Sequence, residues 1–74
     1  MSDEKLLIVD DEKLVRWSLR QKCEEWGYQT LEASTGGEAL AVAQAESLDL
    51  ILLDVRLPDM SGLVVFKRVR QFDG

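Results

Sequence analysis

Leu6-Leu7-Ile8-Val9 and Leu50-Ile51-Leu52-Leu53 are unbroken apolar runs, too short for helices and without any polar alternation. A strand of that kind is covered on both faces, as strands are in parallel sheets flanked by helices. Each run ends in acid: Asp10-Asp11 follows the first and Asp54 follows the second. If the two strands lie side by side and parallel, their carboxyl ends open onto one edge of the sheet, where open α/β folds bind ligands. Three carboxylates then share one crevice. At a separation of ~4 Å and an effective dielectric of ~20, each like-charged pair costs on the order of 4 kcal/mol, so the cluster calls for a cation or a shared proton. A hard divalent ion is the natural partner.

The segments between and after these runs read as helices and one further strand. From Glu12 to Trp26, apolar Val15, Leu19, Cys23 and Trp26 recur at spacings of three and four and Gly27 supplies a stop, which predicts a helix with that stripe on the sheet. Leu14 and Trp17 fall away from the stripe. Tyr28 to Ala33 alternates as an edge strand with one wetter side does. Thr35 and Glu38 fit a capping box, opening a second helix through about Glu46, and Leu48 to Leu53 is the third strand. Pro58-Asp59-Met60-Ser61-Gly62 breaks the chain, with Pro58 and Gly62 as turn residues. Leu63 to about Phe72 then predicts a third helix with Leu63, Phe66 and Val69 on one face. The order β-α-β-α-β-α implies a parallel α/β sheet with right-handed crossovers.

Seventy-four residues make one domain at most. The formal charge of -5 argues against a nucleic-acid surface, and Lys67, Arg68 and Arg70 read as a solvated helix face. No apolar stretch approaches the ~20 residues that cross a bilayer, and the start Met1-Ser2-Asp3-Glu4-Lys5 lacks the layout of a secretory leader, so a cytoplasmic location is expected. Cys23 is the only cysteine, which excludes an internal disulfide and suggests a core-facing helix residue.

Several landmarks occur in a fixed order: Leu7-Ile8-Val9-Asp10-Asp11-Glu12, Gly27-Tyr28, Gly37-Glu38-Ala39-Leu40, Asp49-Leu50-Ile51-Leu52-Leu53-Asp54 and Leu57-Pro58-Asp59-Met60-Ser61-Gly62. Together they resemble the response-regulator receiver domains of two-component signalling, over nearly the whole chain. Val15-Arg16-Trp17-Ser18-Leu19 further resembles receivers of the nitrogen-regulator class, which precede ATPase and DNA-binding modules. The resemblance implies a CheY-like, flavodoxin-like sheet in the order 2-1-3. It makes Asp54 the phosphoacceptor, and it makes Asp10, Asp11, Asp54 and the backbone carbonyl of Arg56 the ligands of Mg²⁺. The implied donor is a phosphohistidine on a sensor histidine kinase or phosphotransfer protein, with the receiver contributing to the transfer chemistry. Elementary chemistry agrees: an Asp carboxylate can attack phosphorus when the phosphoryl oxygens are neutralised, and Mg²⁺ takes one or two carboxylates and fills its shell with water and phosphate.

Flavodoxin-like sheets run 2-1-3-4-5. Residues 1–74 are therefore expected to be a partial receiver, its first three β-α units. The Ser or Thr that ends the fourth strand of receivers and the Lys that ends the fifth have no counterpart here, so switching is expected to be impaired. A bare third strand, beside a third helix made more apolar by Val64, Val65 and Phe72, predicts either self-association or a loose, partly disordered monomer. Other readings of the same residues stay open. Asp10-Asp11 alone could cap a helix. Trp17, with Glu12, Leu14 and Ser18, could cover the helix surface or form a docking patch. The whole chain could be an unphosphorylated interaction module that binds a kinase or receiver partner through the first helix or the open sheet edge. A flavin site is disfavoured, because the loop after the first strand is acidic where a cofactor phosphate needs donors.

Overall fold

The apolar runs form adjacent parallel strands in the computed structural model, which describes residues 4–73 and side chains as far as Gln71. Phe72 and the polar start at residues 1–3, both used above, lie outside the described side chains. In chain order the elements are β1 (Lys5–Val9), α1 (Lys13–Glu25), β2 (Gln29–Ala33), α2 (Gly36–Ala45), β3 (Leu50–Leu53) and α3 (Gly62–Asp73). The sheet runs β2-β1-β3, and Leu7 of the central strand lies in register between Leu31 and Ile51. Leu6 to Val9 are buried on both faces, as an unbroken apolar run in a covered parallel strand must be. No helix among the described residues is long and apolar enough to cross a membrane.

The two faces have different covers. Leu6 and Ile8 meet Cys23 of α1, with Tyr28 and Leu52 beside them. Leu7, Val9 and Ala33 meet Ala39 of α2 and Val65 of α3. Cys23 is thus a core residue, but the predicted stripe on α1 is narrower than expected. Trp26 lies past the helix as its C-cap and is 67% exposed, while Val15 and Leu19 sit at the margin of the buried face. Gly27 ends α1 with φ of 94°, its N–H donating to the Glu24 carbonyl and that of Tyr28 to the Cys23 carbonyl. This is the double closure typical of a left-handed glycine after a helix, and it aims Trp26 outward.

At α2 the Thr35 hydroxyl accepts the Glu38 amide at 3.0 Å, as a capping box requires. The Glu38 carboxylate reaches one residue further back than expected, taking both the amide and the hydroxyl of Ser34. Those bonds, the amide first, hold the Glu38 carboxyl below the usual carboxylate range.

The face predicted for α3 is corrected. Leu63 and Phe66 are 62% and 51% exposed, whereas Gly62 and Val65 are buried and Val69 is half-buried. The cause is Gly62, whose amide donates to the Val55 carbonyl at 2.8 Å and whose Cα lies against the backbone of Asp54 and Val55. That contact sets the rotation of the helix, and positions 62, 65 and 69 follow on the inner side.

Candidate functional site

The carboxyl ends of β1 and β3 meet because the parallel ladder continues one step beyond each strand. The Asp54 amide donates to the Val9 carbonyl at 3.0 Å, and the Asp10 amide donates to the Ala33 carbonyl at 3.1 Å. Both aspartates stand at the same level of the sheet, one on the central strand and one beside it. Asp10, Asp11 and Asp54 each offer a carboxylate oxygen, and these oxygens lie within 4.8 Å of one another. Asp10 and Asp54 are half-buried and Asp11 is exposed. Below them opens a depression of about 300 Å³ walled by Val9, Leu19, Leu52 and Leu53. An apolar groove of about 310 Å³ runs elsewhere, between β3 and α3, and none of the clustered carboxylates lines it.

The two half-buried carboxylates are held in the same way. Asp10 Oδ1 accepts the Glu12 amide at 2.9 Å, and Asp54 Oδ1 accepts the Arg56 amide at 3.0 Å. Each is an aspartate closing a turn on the amide two residues ahead, a local bond open to its short side chain. The other oxygen of each is left for a ligand. Asp11 accepts no hydrogen bond among the described residues, so its whole carboxylate is available. The capping alternative does not describe this loop: the N-cap of α1 is Glu12, which makes no side-chain cap bond, and the first turn has no acid.

Arg56 stands two residues past Asp54, its side chain exposed, in an antiparallel bridge with Ser61 that narrows the β3–α3 loop. That loop is braced from a distance by Asp59. Its carboxylate accepts the Gly36 amide at 2.8 Å and the Gly37 amide at 2.9 Å, closing over the first turn of α2. Those two amides hold the Asp59 carboxyl below its ordinary value. Arg16 joins the site although no motif marks it for that role. Its guanidinium donates to the Asp10 carbonyl at 2.7 Å and to Glu32 at 3.1 Å, and its side chain is only 15% exposed. The signal was a spacing: Arg16 stands one heptad before buried Cys23, which puts both on the sheet side of α1.

Comparison with known proteins identifies the family and the fold. The description "Response regulator receiver domain" matches residues 6–74. The chain belongs to the response regulator receiver domain family. It is 41% identical over 73 residues to sporulation initiation phosphotransferase F of Bacillus subtilis, covering 99% of this chain and 59% of that one. To the alkaline phosphatase synthesis transcriptional regulatory protein PhoP of the same organism it is 45% identical over 69 residues, covering 93% of this chain and 29% of the relative. A CheY-like receiver domain from Methanospirillum hungatei superposes with a TM-score of 0.93 at 37% identity, over 96% of this chain and 57% of that one. The response regulator TrrA of Thermotoga maritima, solved in complex with Mg²⁺-BeF, gives 0.90 at 36% identity over 93% of this chain and 60% of its own. This receiver chain therefore spans little more than half the length of the receivers it superposes on. The narrower resemblance to the nitrogen-regulator class gains no support from these relatives, and the chain stands with receivers in general.

Proposed function

We propose that this chain accepts a phosphoryl group on Asp54 from a phosphohistidine of a sensor histidine kinase or phosphotransfer protein. The same reading takes residues 1–74 as the first three β-α units of a receiver, the portion that carries the acidic cluster. One observation supports it above the rest: three carboxylates from two strand ends converge within 4.8 Å, and the one on β3 has an oxygen left uncommitted. Asp54 Oδ2 attacks phosphorus, a P–O bond forms as the donor P–N bond breaks, and the electron pair returns to the leaving imidazole. The Arg56 amide holds Oδ1, which aims the nucleophilic oxygen and keeps the carboxylate from rotating. The donor set fits Mg²⁺, with Asp10, Asp11 and Asp54 supplying carboxylates and Arg56 its backbone carbonyl. When bound, the ion neutralises the phosphoryl oxygens.

The test is incubation with acetyl phosphate and Mg²⁺, followed by intact mass and fragment mapping. One phosphoryl group on Asp54, absent from Asp54→Asn and from samples without Mg²⁺, is the expected result. Equal labelling of parent and Asp54→Asn would refute the assignment.

A further inference from the structure

Of the three clustered carboxylates, Asp11 is the one with no hydrogen bond of its own among the described residues, yet its oxygen still lies within 4.8 Å of the others. Something other than its side chain must hold it there. The Asp10 carbonyl belongs to the peptide unit that joins Asp10 to Asp11, and that unit is planar. With the Asp10 amide on Ala33 and the Asp10 carbonyl on Arg16 Nη1 at 2.7 Å, both ends of the Asp10 main chain are tied down. The direction of the Asp11 N–H and Cα follows from that plane.

Arg16 is itself fixed. Its Nε donates to Glu32 of β2, and the other oxygen of Glu32 takes Arg20 Nη1 at 3.0 Å. Arg20 in turn bonds Glu24, which also accepts the Thr30 hydroxyl. This chain of bonds runs along the wetter side of β2 and ends on the loop that carries Asp10 and Asp11. The Arg16–Glu32 pair is its most enclosed ion pair among the described residues.

We propose that Arg16 is a positioning residue of the cation site: it orients the Asp10–Asp11 peptide and so presents the Asp11 carboxylate, acting through the main chain and not through its charge. The proposal rests on the reading of the cluster as a Mg²⁺ site. Position and charge predict opposite signs, which makes the proposal decidable. A guanidinium beside an acidic cluster repels a cation, so its removal strengthens binding if charge alone matters. Loss of the carbonyl anchor weakens binding, by roughly 10- to 100-fold if it acts as outer partners of metal ligands do.

The experiment is a Mg²⁺ titration of the 74-residue chain, followed by backbone amide resonances, on the parent, Arg16→Met, Arg16→Gln and Asp11→Asn, with melting midpoints measured without Mg²⁺. Weaker binding in Arg16→Met at an unchanged midpoint supports the proposal, with Arg16→Gln intermediate because it keeps a donor but no charge. If Arg16→Met fails to fold, Arg16→Gln alone decides, by binding more weakly or more tightly than the parent. Equal or tighter binding in the folded Arg16 variants, while Asp11→Asn loses the response, overturns the positioning role and leaves the cation site standing. An identical response in the parent and Asp11→Asn overturns the cation site, and the role of Arg16 with it.

Discussion

Replacing Gly62 by alanine is the sharpest probe of how α3 seats the site. A methyl group there stands 2.3 Å from the Asp54 carbonyl oxygen, 2.9 Å from Val55 Cα and 3.1 Å from the Asp54 carbonyl carbon. Ordinary contact begins near 3.4 Å, and every atom in the way is backbone, so no side chain can swing aside. Either α3 lifts or the Asp54–Val55 segment retreats, by about 1 Å. Overpacking of this kind costs about 1–3 kcal/mol, and stretching the 2.8 Å bond from Gly62 to Val55 adds to it. The better helix propensity of alanine offsets only part of this, because position 62 opens the helix. For a domain of this size each kcal/mol corresponds to about 4–8 °C in melting temperature. A displacement of about 1 Å at the nucleophile lowers the labelling rate by roughly 100-fold. Gly37→Ala is the control, since its methyl meets Asp59 Oδ2 at 3.4 Å and Thr35 Oγ1 at 3.9 Å, both ordinary contacts. Thermal melts and acetyl phosphate labelling of both variants are the assay. A Gly62→Ala chain that melts and labels like Gly37→Ala would refute the reasoning.

Acid should loosen the clamp on α2. Asp59 titrates lower in the folded chain than its ordinary 3.8, so its contribution is present above that value and is lost as pH falls through the depressed one. Melting temperature against pH should therefore fall less steeply in Asp59→Asn than in the parent, and parallel acid limbs would count against the clamp. If Trp17, 58% exposed on α1, forms a docking patch for a cognate kinase domain, its loss costs more than ~1 kcal/mol of association. Trp17 fluorescence in a Trp26→Phe chain reports docking free of the exposed Trp26, and calorimetric titration of Trp17→Ala against the parent measures the loss; an unchanged affinity would return Trp17 to a surface-covering role. The 74-residue chain should self-associate through β3 and α3, where Leu50, Val64 and Phe66 are exposed. Light scattering on parent and Leu50→Lys decides: a monomeric parent removes the premise, and an unchanged oligomer removes β3 from the interface.

Strand identity, order and the acidic edge were legible in the sequence because burial on both faces leaves an unbroken apolar run, and a parallel pairing needs little more than that. Rotation of the helices was harder to read. Periodicity gave α3 several apolar positions to choose among, and the choice fell to a contact it does not encode, the missing side chain of Gly62 against the backbone of Asp54. On α1, Trp26 continues the apolar spacing but falls where the helix has already closed on Gly27. The long-range polar contacts left the weakest trace. Asp59 reads as a turn residue, and only the one-heptad spacing to Cys23 marks Arg16, until the fold brings Gly36 and the Asp10 carbonyl to them.

The flanks of the sheet are mechanically unequal. β1 is bonded on both sides and enclosed on both faces, whereas β3, among the described strands, is bonded only to β1 and keeps Leu50 exposed. Asp10 thus stands on an anvil and Asp54 on a spring. If Asp54 takes on a dianion, β3 and residues 55–61 are the parts that can yield, and that segment is held by the Asp59 carboxylate on α2 and by Leu57 and Met60 packed on the core. The stiffness of the central strand decides in which direction such a molecule can give.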